Sequence, residues 1–217
     1  KGPEAATPEK QIEIINQLVA QNVAGIAIAA NDADALQPAL TEAMDAGIKV
    51  ISLDSAVNKD SRQTHIQQAD PEKIGRGLIQ AAYEMVDGNG GIAVLSATAQ
   101  ATNQNLWIEW MKKELEENPE KYANTPLVKV AYGDDDPTKA TSETQALLTD
   151  SSIKVIIAPT TVGMLAAGKV LQDKQSDVKL TGLGLPSEMA PFIEDGTCPW
   201  MYLWNPVDIG YLSGYTM

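Results

Sequence analysis

Residues 23–53 read VAGIAIAANDADALQPALTEAMDAGIKVISL, and the fold is decided there. Val23 to Ala30 is a nearly uninterrupted apolar run of strand length, the pattern of a parallel strand covered on both faces. Asn31-Asp32 supplies a helix cap, Leu36, Leu40 and Met44 recur at helical spacing up to Ala46, and Gly47 ends the helix. Ile48–Leu53 is the next strand. Strand, helix and strand in this order form a βαβ unit, with parallel strands and a right-handed crossover.

The alternation extends in both directions. Upstream, Thr7 and Pro8 start a helix whose stripe is Ile12, Ile15, Leu18 and Val19. Downstream, the pattern predicts helices over 71–86, 102–115, 137–148 and 161–171 and from Ser187. It predicts strands over 92–95, 127–131, 155–158 and 178–183, and one ending ahead of Trp204. This is an α/β chain with parallel sheets flanked by helices. A weak repeat links its halves: Ile26-Ala-Ile-Ala29 and Val155-Ile-Ile-Ala158 lie 129 positions apart, Lys49–Leu53 and Lys179–Leu183 lie 130 apart. Two similar lobes follow, with a ligand cleft expected beside the carboxyl ends of the strands.

The composition narrows the function. Lys plus Arg number 16 and Asp plus Glu 29, for a formal net charge of −13 over 217 residues, which repels nucleic acid at long range. No apolar run approaches the roughly 20 residues that span a bilayer. One cysteine, Cys198, excludes an internal disulfide, and with His65 as the one histidine it leaves too few ligands for a zinc centre of the usual type. Gly88-Asn-Gly-Gly91 lies between helix and strand, the wrong side for a phosphate loop, and Gly182-Leu-Gly184 lacks the third glycine of a dinucleotide fingerprint. A Ser–His–Asp set would have to use His65, which sits in a strand-like Thr-His-Ile segment. Neither catalysis nor a cofactor is expected.

The residues after the strands are polar and mostly uncharged: Asn31-Asp32, Asp54-Ser55, Ser96-Ala-Thr98, Gly133-Asp134, Pro159-Thr-Thr161, Gly184-Leu-Pro186 and Trp204-Asn205. Such a set suits a neutral polyhydroxylated ligand, with a carboxylate to accept hydroxyl hydrogen bonds and an indole to cover an apolar sugar face. Each residue taken singly also fits an ordinary turn or cap. Asp134-Asp-Asp136 before Pro137 reads as a solvated loop that favours a helix N-terminus, with cation binding as the alternative.

Several stretches resemble the type I periplasmic sugar-binding proteins of ABC transporters, in the branch of the autoinducer-2 and rhamnose receptors. They are Asp54-Ser-Ala, Ala101-Thr-Asn-Gln-Asn-Leu-Trp107, Tyr132-Gly-Asp-Asp, Ile157-Ala-Pro-Thr-Thr161, Thr181–Met189 and Leu203-Trp-Asn-Pro206. The resemblance implies two Rossmann-like lobes that close on a ligand like a clamshell, the closed form being presented to membrane permease subunits. It places an N-terminal lobe at 1–100, with 206–217 returning to it, and a C-terminal lobe at 101–205. Chain crossings are implied near Ala97–Asn103 and Trp204–Asn205. It also implies a monomer outside the cytoplasm, in the periplasm or lipid-anchored at the cell surface, and a chain lacking terminal segments that family members carry.

In the autoinducer-2 receptor pattern, Asp54, Gln104 and Pro159 match ligand-holding positions. Asn103 stands where that pattern has Asp, and Thr161 where it has Ala; its Lys lies upstream of Lys1. Trp204 completes the expected site. Asn for Asp removes a charge and adds donors, and Thr for Ala adds a hydroxyl. The three matches lean toward autoinducer-2, while Ala101–Asn105 and Ala158–Gly163 equally resemble the rhamnose branch. A ligand-sensing domain of a transcription repressor is the remaining reading of the same fold.

Overall fold

In a computed structural model describing residues 2–3 and 5–217, the chain divides into two compact units. The first comprises 1–70, 100–105 and 204–217, the second 71–99 and 106–203.

The first unit opens with α1 (Pro8–Ala20), where Thr7 Oγ1 accepts from Lys10 N at 3.4 Å as the N-cap. There follow β1 (Gly25–Ile28), α2 (Ala33–Asp45), β2 (Lys49–Leu53), a turn of 3-10 helix and β3 (Thr64–Ile66). Asp32 caps α2, accepting from Asp34 N and Ala35 N, and Gly47 at φ 86° lets the chain leave the helix. The strands pair in parallel in the order β1-β2-β3. Ile15 of α1 and Leu36, Leu40 and Ala43 of α2 pack on Ile26, Ile28 and Val50 to form one core. α8 (Pro206–Thr216) packs against β2 and β3 and buries Ile209 and Ser213.

The second unit holds α3 (Pro71–Met85), β4 (Gly91–Ser96), most of α4 (Thr102–Glu117), β5 (Leu127–Tyr132), α5 (Pro137–Leu147), β6 (Ile153–Ala158), α6 (Thr161–Asp173), β7 (Lys179–Gly182) and α7 (Pro186–Glu194). Its sheet is parallel in the order β5-β4-β6-β7. Ala93, Leu95, Ile156 and Ala158 join α5, α6 and α7 in a core, and the alternating Ile92, Val94, Val155 and Ile157 are equally buried. Both faces are therefore covered, as their unbroken apolar runs require. α3 contacts β6 and β7, and it approaches α4 closely because Gly75 has no side chain: a Cβ there would stand 2.5 Å from the Trp107 carbonyl oxygen.

The repeat in the sequence is offset from the strand pairing by one residue: Ile26, matched in sequence to Val155, lies opposite Val50, whereas Val155 lies opposite Lys179.

Two expectations differ from the structure. Residues 71–99, expected in the first lobe, group with the second unit, because β4 lies inside its sheet between β5 and β6. The first boundary thus falls at 70/71, ahead of the crossing expected near Ala97–Asn103, while 100–105 group with the first unit. And no strand forms ahead of Trp204: Tyr202 makes only an isolated parallel bridge to Leu183. Pro199 and Pro206 bracket that segment, and neither can donate to a ladder.

Candidate functional site

Three strand ends of the first unit are tied together around Asp54. The chain turns there in the left-handed region, at φ 55°, which Asp tolerates better than most residues. Asp54 N donates to Ile66 O at 3.1 Å, and Ala30 N to Ser55 O at 3.1 Å, so the ends of β3 and β1 both bond to this turn. Gln11 of α1 braces the loop after β1, its Nε2 donating to Ala29 O and its Oε1 accepting from Asn31 N.

The Asp54 carboxylate is only half satisfied. Oδ2 accepts from Asn103 Nδ2 at 3.3 Å, whereas Oδ1 is buried and has no hydrogen-bond partner. Burial pushes the carboxyl above its ordinary value, because ionisation in a desolvated setting is penalised. The neighbouring Ser55 Oγ is also buried and unpartnered. Buried polar atoms are nearly always paired, so a carboxylate oxygen and a hydroxyl left open on one turn mark a place where hydroxyl groups would be accepted.

Asn103 and Gln104 lie in the first turn of α4. Asn103 Oδ1 accepts from Gln104 N at 2.8 Å, which leaves Nδ2 to meet Asp54. The donor gained by having Asn at this position is thus used on the carboxylate. Gln104 is buried. Trp204 is half-buried and precedes Asn205, whose Oδ1 caps α8 by accepting from Val207 N at 3.0 Å. Four of the six expected site residues therefore belong to one unit, and Asn103 bonds to both Asp54 and Gln104 there.

Pro159 and Thr161 belong to the second unit, on the link from β6 to α6. Pro159 is buried and Thr161, the first residue of α6, is half-buried. Between them Thr160 donates from Oγ1 to Asp135 Oδ1 at 2.5 Å. Thr161 also borders a groove of about 270 Å³ that includes Pro137, Thr141, Lys169 and Leu185, and it is the one expected site residue there. The acidic loop is a structural device: Asp136 caps α5 by accepting from Lys139 N at 2.7 Å, and Asp134 pairs with Lys139 Nζ. Among the described residues no group of three or more His, Cys, Asp or Glu is placed to hold a metal ion.

The other reactive side chains are engaged elsewhere. Ser52 Oγ accepts from Arg62 Nη1 at 2.9 Å and lies 2.8 Å from His65 Nδ1; because Gln67 Oε1 can only accept, the bond it makes with His65 Nε2 puts the neutral ring's proton on Nε2, and Nδ1 then accepts from Ser52. The Nε2 to Gln67 Oε1 distance is 2.9 Å. Ser52 is fully buried on β2, out of reach of any substrate. Cys198 lies in the core of the second unit, where burial pushes its thiol up to about 11.

Ser55 and Asp135 stand outside the six expected site residues. Ser55 was legible as the neighbour of Asp54. Asp135 was not, because its role is a contact over 25 positions of sequence.

The model of the periplasmic binding protein domain matches residues 1–217. An ABC transporter solute-binding protein from Clostridium phytofermentas, solved with bound L-rhamnose, is 50% identical over 100% of this chain and 68% of its own, with a TM-score of 0.95. A sugar ABC transporter protein from Actinomyces odontolyticus is 40% identical, covering 100% of this chain and 70% of its own, with a TM-score of 0.71. LsrB from Clostridium saccharobutylicum, in complex with AI-2, is 26% identical over 100% of this chain and 70% of its own, with a TM-score of 0.91. The chain belongs to the periplasmic binding protein family.

Proposed function

We propose that the chain is the solute receptor of an ABC importer, working outside the cytoplasmic membrane, and that it takes a neutral sugar, L-rhamnose ahead of autoinducer-2. The observation that carries this reading is the buried, unpartnered Oδ1 of Asp54. A carboxylate oxygen held dry at a strand end is stabilised by ligand hydroxyls, whose hydrogen bonds to a charged acceptor are among the stronger ones available. Asn103, Gln104 and Trp204 support it from the same unit, and the resemblance adds the positions of Pro159 and Thr161. Among the described residues no helix is long and apolar enough to cross a membrane; the solute-binding relatives of ABC transporters support a separate permease as the partner.

The sequence pattern alone leans to autoinducer-2. Family distance moves the balance: the rhamnose-bound relative is 50% identical and the AI-2-bound one 26%. Autoinducer-2 remains the second reading because Asp54, Gln104 and Pro159 match its receptor pattern.

Calorimetric titration with L-rhamnose and, separately, with autoinducer-2 tests both. Saturable one-to-one binding without turnover, tighter for L-rhamnose, is expected. Tighter binding of autoinducer-2 would reverse the ligand assignment, and binding of neither would overturn the receptor reading.

A further inference from the structure

We propose that Asp135 is a positioning residue for the ligand loop Pro159–Thr161. The inference rests on the receptor function above and adds a residue that touches no ligand.

Thr160 occupies the capping position of α6, with φ −147° and ψ 139°, where a threonine ordinarily accepts from an amide of the first turn. It makes no such bond. Its hydroxyl donates to Asp135 Oδ1 at 2.5 Å, a charge-assisted bond that turns the side chain toward the carboxylate and away from the amides of the first turn. Thr160 is almost fully buried, so this one bond fixes its rotamer, and Pro159 and Thr161 are its two chain neighbours.

Asp135 is itself held for the task. It follows Asp134, and both are left-handed, at φ 49° and 53°, an unfavourable pair for residues with side chains. The turn is pinned by Gly133 N to Ser96 O at 2.8 Å and Asp134 N to Ala97 O at 2.9 Å. The flanking carboxylates are occupied with Lys139 and the α5 cap, which leaves Asp135 as the member of the run that reaches the ligand loop.

Two variants isolate the bond. Asp135→Gly removes the carboxylate while keeping the positive φ at ease, and Thr160→Val removes the hydroxyl at constant shape. Each is expected to weaken L-rhamnose binding about tenfold, the worth of one hydrogen bond to a charged group. The double variant should be no weaker than either single one within about twofold, because both delete the same interaction. Asp135→Asn, which keeps an acceptor and tolerates the left-handed region, should recover most of the affinity. The melting temperature of ligand-free Asp135→Gly should stay near wild type, since the freed hydroxyl can cap α6.

A lowered melting temperature with unchanged affinity would mean that Asp135 serves stability alone, and would overturn the proposal. So would additive losses in the double variant. If wild type binds L-rhamnose and Asp135→Gly binds it equally well, this proposal fails while the receptor reading stands. If wild type binds neither L-rhamnose nor autoinducer-2, both fall.

Discussion

Asn103 Nδ2 donates to Asp54 Oδ2 at 3.3 Å, so an amide stands where a second carboxylate would otherwise face the first. With Asp at position 103, two acidic oxygens would lie at that separation in a setting that already raises the Asp54 carboxyl by burial. They could not both ionise easily, and the pair would take up one proton at a higher pH than either alone. Asn103→Asp is therefore expected to weaken L-rhamnose binding at neutral pH and to make it steeply pH-dependent. Titrations repeated from pH 4 to pH 8 would show an acid limb displaced upward relative to wild type. An unaltered pH profile would mean that the two side chains do not interact in solution.

Burial raises rather than lowers the Asp54 carboxyl, and the pH dependence of both stability and binding follows from that direction. Below the ordinary value of 3.8 the group is protonated in folded and unfolded chains alike, and it contributes nothing. As pH rises from there through the raised folded value, the native state keeps a proton that the unfolded state has lost. Stability therefore falls across that window and stays lower above it. A ligand hydroxyl donating to the carboxylate favours the ionised form, so binding should release a proton there, and affinity should drop as pH falls through the raised value. Asp54→Ala should remove measurable binding, since a hydrogen bond to a charged group is worth about 1.5–3 kcal/mol and its partner hydroxyl is left stranded. Asp54→Asn, which suits the positive φ, should bind weakly yet melt higher than wild type at neutral pH. Calorimetry in buffers of different ionisation enthalpy reads the proton release, and a Kd unchanged in Asp54→Ala would take Asp54 out of the site.

His65 acts in the opposite sense. Desolvation lowers its imidazole, helped by the nearby positive charge of Arg62 and opposed by its hydrogen bonds to Gln67 and Ser52. Above the ordinary 6.5 it is neutral in both states and costs nothing. As pH falls from 6.5 toward the lowered folded value, the unfolded chain takes up a proton that the native one refuses, so stability is lost on acidification. His65→Asn keeps an acceptor for Ser52 and should flatten the melting temperature over the pH range just below 6.5. Nitrogen chemical shifts of the ring should report the Nε2–H tautomer; finding the Nδ1–H form would reverse the direction of the Ser52 bond.

The architecture was legible from short signals because each is enforced locally. Gly47, Asp32 and the Val23–Ala30 run mark their elements through conformational freedom, capping and two-sided burial, and the structure places a left-handed glycine, a capping Asp and a strand there. What the sequence obscured depends on long-range pairing. Whether β4 joins the strands before it or after it is decided by hydrogen bonds to β5 and β6, and an apolar run such as Gly91–Ser96 reads the same either way. The site divides along the same line. Asp54 stood out as a carboxylate within a polar strand end, but that its Oδ1 is left open and that Thr160 turns toward Asp135 are facts of packing.

Thr161 and Asn103 are the two positions where the chain departs from the autoinducer-2 receptor pattern, and together they carry the last prediction. Thr161 begins α6 beside the buried Pro159, so its hydroxyl stands at the end of β6 where Ala would present only a methyl. A hydroxyl that pairs with one ligand and is left unpaired by another discriminates by about 1–3 kcal/mol, through the cost of the unmet hydrogen bond. Thr161→Ala should therefore lower the preference for L-rhamnose over autoinducer-2 by about tenfold or more while leaving binding measurable. Combining it with Asn103→Asp supplies both residues of the autoinducer-2 pattern and should carry the preference further in the same direction. The measurement is the ratio of the two dissociation constants in wild type, each single variant and the double. A ratio that stays constant across all four proteins would show that these positions do not select the ligand, and specificity would then have to be sought at Ser55, Gln104 and Trp204.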